Sequence, residues 1–216
     1  MTEIPEPRHG PFRDRADAGA ALAAHLLGYR ERGPIVIGLP RGGVVVAAEV
    51  AAALDAPLDI AIVRKVGAPG NPELAVGAVG EGDVVIRNRE LMGLLGLSGA
   101  DFDRRAAAEF DEVRERARRL RPDRPLVPVA GRLVIVVDDG LATGATAQAA
   151  VAIMRAHGAA KVIVGVPVGS PEALRRLDAD RVVCIDVPRA LGGVGAWYED
   201  FTAVSEDEVA LLLQRR

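Results

Sequence analysis

The chain has a single cysteine, Cys184, so it cannot close an internal disulfide. That residue lies in the apolar run Arg181 to Val187 and reads as a small core side chain rather than a nucleophile. Lysine is almost absent: Lys65 and Lys161 are the only two among 27 basic residues, so a lysine beside a candidate site invites a question. With a net charge of −3 there is no broad basic field, and nucleic acid is not expected as a partner. No apolar run is long enough to span a bilayer, so no membrane association is expected. Met1 to Pro11 carries Pro, Glu and His where an export signal needs a continuous apolar core, which gives the cytoplasm as the expected location. Aromatics are also few, one Trp, two Tyr and four Phe, and three of them crowd into Trp197, Tyr198 and Phe201.

The length of 216 residues suits one domain, expected over 12–216 behind a flexible segment 1–11. Five short runs, Pro34 to Leu39, Leu58 to Arg64, Leu133 to Asp138, Lys161 to Pro167 and Arg181 to Val187, are rich in Val and Ile and mostly lack alternation. That pattern predicts strands covered on both faces, as in a parallel sheet. Helical spacing fills Asp14 to Arg30, Val44 to Leu54, Thr146 to His157 and Pro171 to Leu177. The alternation predicts an α/β fold, an open parallel sheet flanked by helices.

Two regions break the rhythm. Residues 66–83, rich in Gly and Pro, read as a flexible lid or a hairpin, with Asn71 and Glu73 exposed on it. Ser98 then caps a helix over about Asp101 to Leu120, with Phe102, Ala106, Phe110, Val113 and Ala117 along one face. It reads as a crossover helix packed on the sheet, or more sharply as a docking or dimer surface. Arg121 to Pro128, with three prolines, reads as a short rigid connector.

The most informative stretch is Leu133 to Thr146, LVIVVDDGLATGAT: a strand, two carboxylates at its end, then a small-residue turn into a helix. Ligands of open α/β sheets bind outside the carboxyl ends of the strands. Ala142, Thr143, Gly144, Ala145 and Thr146 can wrap backbone N–H groups around a phosphate at a helix N-terminus. Asp138 and Asp139 would repel that phosphate, so they must face hydrogen-bond donors or positive charge. Ribose hydroxyls and a magnesium-bound water shell both qualify. An acidic strand end before an ordinary helix cap would not require the full spacing of this loop.

Four apolar residues, two acidic ones, two variable ones and a small-Thr-Gly-x-Thr loop resemble the motif of the type I phosphoribosyltransferases, which bind 5-phosphoribosyl-1-pyrophosphate (PRPP). The resemblance implies that fold, with a lid over residues 66–83 and a small hood built from the chain ends. It gives Asp138 and Asp139 the ribose hydroxyls, and Ala142 through Thr146 the 5-phosphate. Pro40, Arg41, Gly42 and Gly43 occupy the place of the family's pyrophosphate loop, where glycines admit the ligand to the backbone and Arg41 meets its charge. Lys65, with Arg64 second, is expected to offset leaving-group charge from the end of the second strand. Mg2+ is implied as cofactor, held indirectly through Asp138 and Asp139. Partners implied are PRPP, a small-molecule acceptor and a second copy of the chain in a homodimer.

The motif FRDR at Phe12 to Arg15, with LPRGG, VRKVGAPGNPE and VGAWYEDF, is similar to a group of bacterial proteins described only provisionally as phosphoribosyltransferases. The acceptor stays open. Ala142 stands where hypoxanthine-guanine members carry an acidic residue, which counts against a standard 6-oxopurine salvage enzyme. The acceptor hood is expected from Phe12 to Arg15 together with Leu191 to Phe201, with Phe12, Trp197 and Tyr198 as its candidate residues; Trp197, Tyr198 and Phe201 read either as stacking on a flat base or as anchors of the C-terminal tail. A non-catalytic PRPP or nucleotide sensor on the same fold is the rival; Arg41, Lys65 and a long lid favour catalysis. A Walker A loop and a GxGxxG fingerprint are both missing.

Overall fold

A computed structural model describes residues 2–3, 10–122 and 124–214, with only the backbone at Glu73. Most of segment 1–11 and the Glu73 side chain thus lie outside the described residues. The strands in chain order are β1 (Thr2–Glu3), β2 (Ile35–Gly38), β3 (Leu58–Ile60), β4 (Val63–Ala68), β5 (Asn71–Gly80), β6 (Val84–Arg87), β7 (Leu133–Val137), β8 (Lys161–Val168) and β9 (Arg181–Asp186). The α-helices are α1 (Arg15–Leu26), α2 (Gly42–Leu54), α3 (Arg89–Leu94), α4 (Gly99–Leu120), α5 (Ala145–Ala156), α6 (Pro171–Arg176) and α7 (Glu206–Gln214).

Six strands form an all-parallel sheet in the order β1-β9-β8-β7-β2-β3. Its central strands β2 and β7 are apolar throughout because both faces are covered. Ile35, Ile37, Val134 and Val136 pack with Ala147, Ala150 and Val151 of α5. The alternate residues Val36, Ile135 and Val137 pack with Leu22 and Leu26 of α1 and Val46 and Val50 of α2. The two-residue period of a strand thus sorts one continuous apolar run into two cores. Asp14 caps α1 by accepting from the Asp17 N–H, and α1 ends in a 3-10 turn, Leu27–Arg32, closed by Gly33 at φ 55°.

The second expected strand, Leu58 to Arg64, is divided. It pairs with β2 only as far as Ile60, and from Val63 the chain enters a separate antiparallel sheet, β4-β5-β6. Residues 66–83 are therefore mostly ordered strand, the hairpin of the two expected forms, turning at Gly70 with φ 72°. Val66, Val76 and Val79 are buried there against Phe102, Ala106, Val113 and Leu120 of α4. Helix α4 packs on this small sheet rather than on the parallel one, and also touches α7. Its start carries a reciprocal capping box between Ser98 and Asp101.

Candidate functional site

Strand β7 delivers Asp138 and Asp139 to the carboxyl edge of the parallel sheet, beside the end of β2. The following turn is tethered on one side, where the Leu141 N–H donates to Val168 O at 2.9 Å and Ser170 Oγ donates to Ala142 O at 2.9 Å. Helix α5 then starts behind Gly144, whose φ of 73° belongs to the left-handed region and whose missing Cβ leaves room for Ala173. Among the described residues, the N–H groups of Ala142, Thr143, Gly144 and Thr146 take no acceptor from the fold. Ala145 N–H makes only a long contact of 3.4 Å with Thr143 Oγ1. Ala142, Thr143 and Thr146 are exposed, so an anion can approach. A row of unclaimed amides at the positive end of a helix dipole suits a phosphate.

Residues 40–43 lead from β2 into α2, with a cis peptide between Pro40 and Arg41 and the Arg41 side chain exposed. Gly42 and Gly43 press against the acidic pair. A Cβ on Gly42 would fall 1.9 Å from Asp139 Oδ2, and one on Gly43 would fall 2.8 Å from Asp138 Cα. The expected pyrophosphate loop therefore packs directly on the acidic pair.

The two carboxylates differ. Asp139 Oδ2 accepts from Arg15 Nε at 2.7 Å, and its backbone carbonyl accepts from Tyr198 Oη at 2.6 Å. Asp138 forms no ion pair among the described residues and uses Oδ1 to accept the Asp139 N–H at 2.9 Å. Burial, and then the negative charge of Asp139, push the Asp138 carboxyl well above its ordinary range, against a smaller opposing effect of Arg15. Cys184 is buried in the core, its thiol pushed up to about 12 by burial, and is no nucleophile.

Two expectations need correction. Arg64 and Lys65 do not end a strand of the parallel sheet; they lie inside β4, opposite Val79 and Ala78. Arg64 Nε pairs with Glu109 Oε2 of α4 at 2.8 Å, and Lys65 is half-buried. Phe12 and Tyr198 are not an open hood: Phe12 is fully buried and Tyr198 nearly so, with their rings 5.6 Å apart. Of that trio only Trp197 stays half-exposed, its Nε1 donating to Leu191 O. The anchor reading, left open by the sequence for Trp197, Tyr198 and Phe201, describes Tyr198.

Two arginines stand near the site in ways the sequence does not assign: it places Arg15 only in the expected hood and gives Arg116 no role. Arg15 reaches the site from the start of α1. Arg116 of α4 stands in the field of Arg41, Arg64 and Arg119, whose like charges add to burial in lowering its pKa, while Glu206 opposes them. The highly charged surface of α4 was the only signal for Arg116.

Among the described residues no group of three or more ligating side chains could enclose a metal. Magnesium keeps several waters and is held by one or two carboxylates together with substrate phosphates. An adjacent pair such as Asp138 and Asp139 fits a metal that arrives with a diphosphate, and does not fit one caged by protein.

The phosphoribosyl transferase domain family matches residues 13–199, and the chain belongs to that family. It is similar to a protein of Mycobacterium tuberculosis, in strains CDC 1551 and H37Rv, named provisionally as a phosphoribosyl transferase, with 46% identity over 206 residues. That alignment takes in 94% of this chain and 46% of the relative, so the chain spans about half the length of the curated relatives it matches. Among solved structures it is similar to TT1426 from Thermus thermophilus, with 48% identity, a TM-score of 0.87, and 94% and 97% of the two chains covered. AQ2163 from Aquifex aeolicus shares the fold at 13% identity, with a TM-score of 0.50 over 93% of this chain and 86% of the other. The fold is that of the type I phosphoribosyltransferases. Among the described residues, no helix is long and apolar enough to cross a membrane.

Proposed function

We propose that this chain binds PRPP with magnesium and transfers its 5-phosphoribosyl group to an acceptor, a nitrogenous base, with release of pyrophosphate. The observation that carries this reading is the sequence of unclaimed amides at the head of α5, the acidic pair just before them, and a glycine loop pressed against that pair. The amides of Ala142 through Thr146 hold the 5-phosphate. Asp138 and Asp139 accept hydrogen bonds from the ribose 2- and 3-hydroxyls. The backbone of residues 40–43 and the Arg41 guanidinium receive the pyrophosphate.

In the reaction the bond from the ribose anomeric carbon to pyrophosphate oxygen breaks, and a bond from that carbon to an acceptor nitrogen forms. Positive charge grows on the ring while negative charge grows on the leaving group. Arg41, with Arg64 and Lys65 from β4, offsets the latter, and the β4-β5 hairpin serves as the lid that excludes water. When bound, magnesium supplies further charge neutralisation at the diphosphate. Little covalent chemistry falls to the protein.

Calorimetric titration with PRPP, with and without magnesium, tests the binding. Asp138→Asn combined with Asp139→Asn is expected to abolish it while leaving the fold intact. Unchanged affinity in that double variant overturns the assignment. Pyrophosphate release, followed across purine, pyrimidine and pyridine bases, then identifies the acceptor. Tight PRPP binding with no release from any base would favour the sensor instead.

A further inference from the structure

Arg15 is only 9% exposed, although its side chain carries a full charge. Three contacts hold the guanidinium. Its Nε donates to Asp139 Oδ2, its Nη1 donates to Thr202 O at 2.8 Å, and its plane lies over Phe201 with 3.8 Å from Cζ to the ring centroid. Arginine's rigid fork suits such a post, because separate N–H groups of one plane can serve separate acceptors.

The segment that carries the partners of Arg15 also packs on the acidic turn, since a Cβ on Gly140 would lie 2.5 Å from Val194. Tyr198 Oη holds the Asp139 carbonyl. Residues 194–202 thus form a strap across residues 139–141, and Arg15 is the link between that strap and the Asp139 carboxylate.

We propose that Arg15 is a positioning residue for the sugar: it fixes one oxygen of Asp139, aims the other at a ribose hydroxyl, and fastens the C-terminal strap behind the acidic turn. This rests on the PRPP reading above. Without Arg15, Asp139 has two competing orientations, and the strap loses its charged anchor. The charge balance of the site changes as well, since Asp138 and Asp139 would then share no cation among the described residues.

The test separates the two halves of the ligand. Wild type, Arg15→Gln and Arg15→Lys are titrated calorimetrically with magnesium-PRPP, with ribose 5-phosphate and with magnesium pyrophosphate, and each is checked for a cooperative thermal transition. Arg15→Gln is expected to lose about ten- to a hundredfold in affinity for PRPP and ribose 5-phosphate, the range for a charge-assisted hydrogen bond. Its pyrophosphate affinity should stay within about twofold of wild type, a change of under half a kcal/mol. Arg15→Lys, which keeps the charge but lacks the fork, should recover part of the sugar affinity.

Equal losses on sugar and pyrophosphate would make Arg15 a general structural support, because Gly42 of the pyrophosphate loop touches the same carboxylate. Unchanged or tighter sugar binding in Arg15→Gln would overturn the proposal outright. If Arg15→Gln does not fold, the same comparison is made with Arg15→Lys, where a selective sugar loss supports the role and an even loss refutes it. Failure of wild type to bind PRPP strikes at the function itself and takes this inference with it.

Discussion

Among the described residues, two groups each set an arginine against a pair of carboxylates, and they have different characters; in the first, Arg124 adds a second guanidinium 3.4 Å from Asp59. Arg121 meets Asp59 and Glu81 where the parallel sheet hands over to the small one, with Arg121 Nε 3.0 Å from Asp59 Oδ1 and the Arg121 and Asp59 side chains 1% and 0% exposed. Asp59 is satisfied further by the N–H groups of Ile60 and Val127. Arg15 meets Asp139 beside Asp138 at the sheet's carboxyl edge, where among the described residues the pairing is incomplete: the Asp138 carboxyl has no cation in an ion pair and is shifted upward, just before amides that take no acceptor from the fold. The first group is the more fully paired, although Arg121 Nε makes no hydrogen bond and burial raises the Glu81 carboxyl too, and it ties a junction together. The second, open one costs stability and is available to a ligand.

Breaking the first group should have the largest effect on the fold. Arg121→Ala removes the nearer guanidinium from buried Asp59 and leaves it only Arg124 at 3.4 Å; breaking a buried pair in this way typically costs about 3–5 kcal/mol. For a chain of this size that lowers Tm by roughly 6–20 °C, measured by calorimetry. PRPP affinity of the folded fraction should be unaltered; a parallel loss would mean that the junction and the site are one unit.

Gly42→Ala attacks the open group through packing. The added methyl must displace the Asp139 carboxylate or the Arg15 Nε, which it would approach at 1.9 and 2.6 Å. Overpacking of this kind costs about 1–3 kcal/mol, and PRPP binding should fall with it. Wild-type Tm and affinity together would show that the packing yields.

Asp138→Asn sharpens the contrast by its sign. The folded state raises the Asp138 pKa, so between the unfolded value and the raised one the native protein binds more protons. The contribution of Asp138 to stability is therefore present below the unfolded pKa and is lost as pH rises through the folded one. A neutral amide removes that loss. The variant should melt higher than wild type at neutral pH, with the gap closing toward acid, while binding PRPP more weakly. A lower Tm at neutral pH would place Asp138 among the structural charges.

Much of this contrast follows from what a sequence can display. The open group was half visible, because Asp138, Asp139 and the turn to Thr146 are contiguous and sit on one strand-to-helix connection. Arg15 lies 124 residues from its partner, and nothing local marks the pairing. Asp59, Glu81 and Arg121 were invisible for the same reason. So was the break after Ile60, since Leu58, Ile60, Ile62 and Val63 are apolar whether they belong to one strand or to two. Helix α7 did carry a signal that was not used: Ser205 caps it by accepting from Glu208 N–H, and Val209, Leu212 and Leu213 face the third core. The aromatic cluster misled because stacking on a ligand and anchoring a tail call for the same side chains.

Arg64→Ala should have the smallest effect on stability and is the finest test of the contrast. Its pair with Glu109 is exposed, with Arg64 itself 43% accessible, and such pairs contribute about 0–1 kcal/mol. A Tm change beyond roughly 4 °C would therefore be unexpected. Removing Arg64 also relieves Arg116, which stands in the combined field of Arg41, Arg64 and Arg119. That relief offsets part of the lost pair. If these arginines are gathered to receive a diphosphate, their mutual repulsion is the cost of holding an anion site open, and the variant should lose PRPP and pyrophosphate affinity severalfold while ribose 5-phosphate binds as before. The loss should shrink as salt rises, because exposed charges are screened. A variant that binds all three ligands like wild type would assign Arg64 to its ion pair with α4 and leave Arg41 and Lys65 to meet the leaving group.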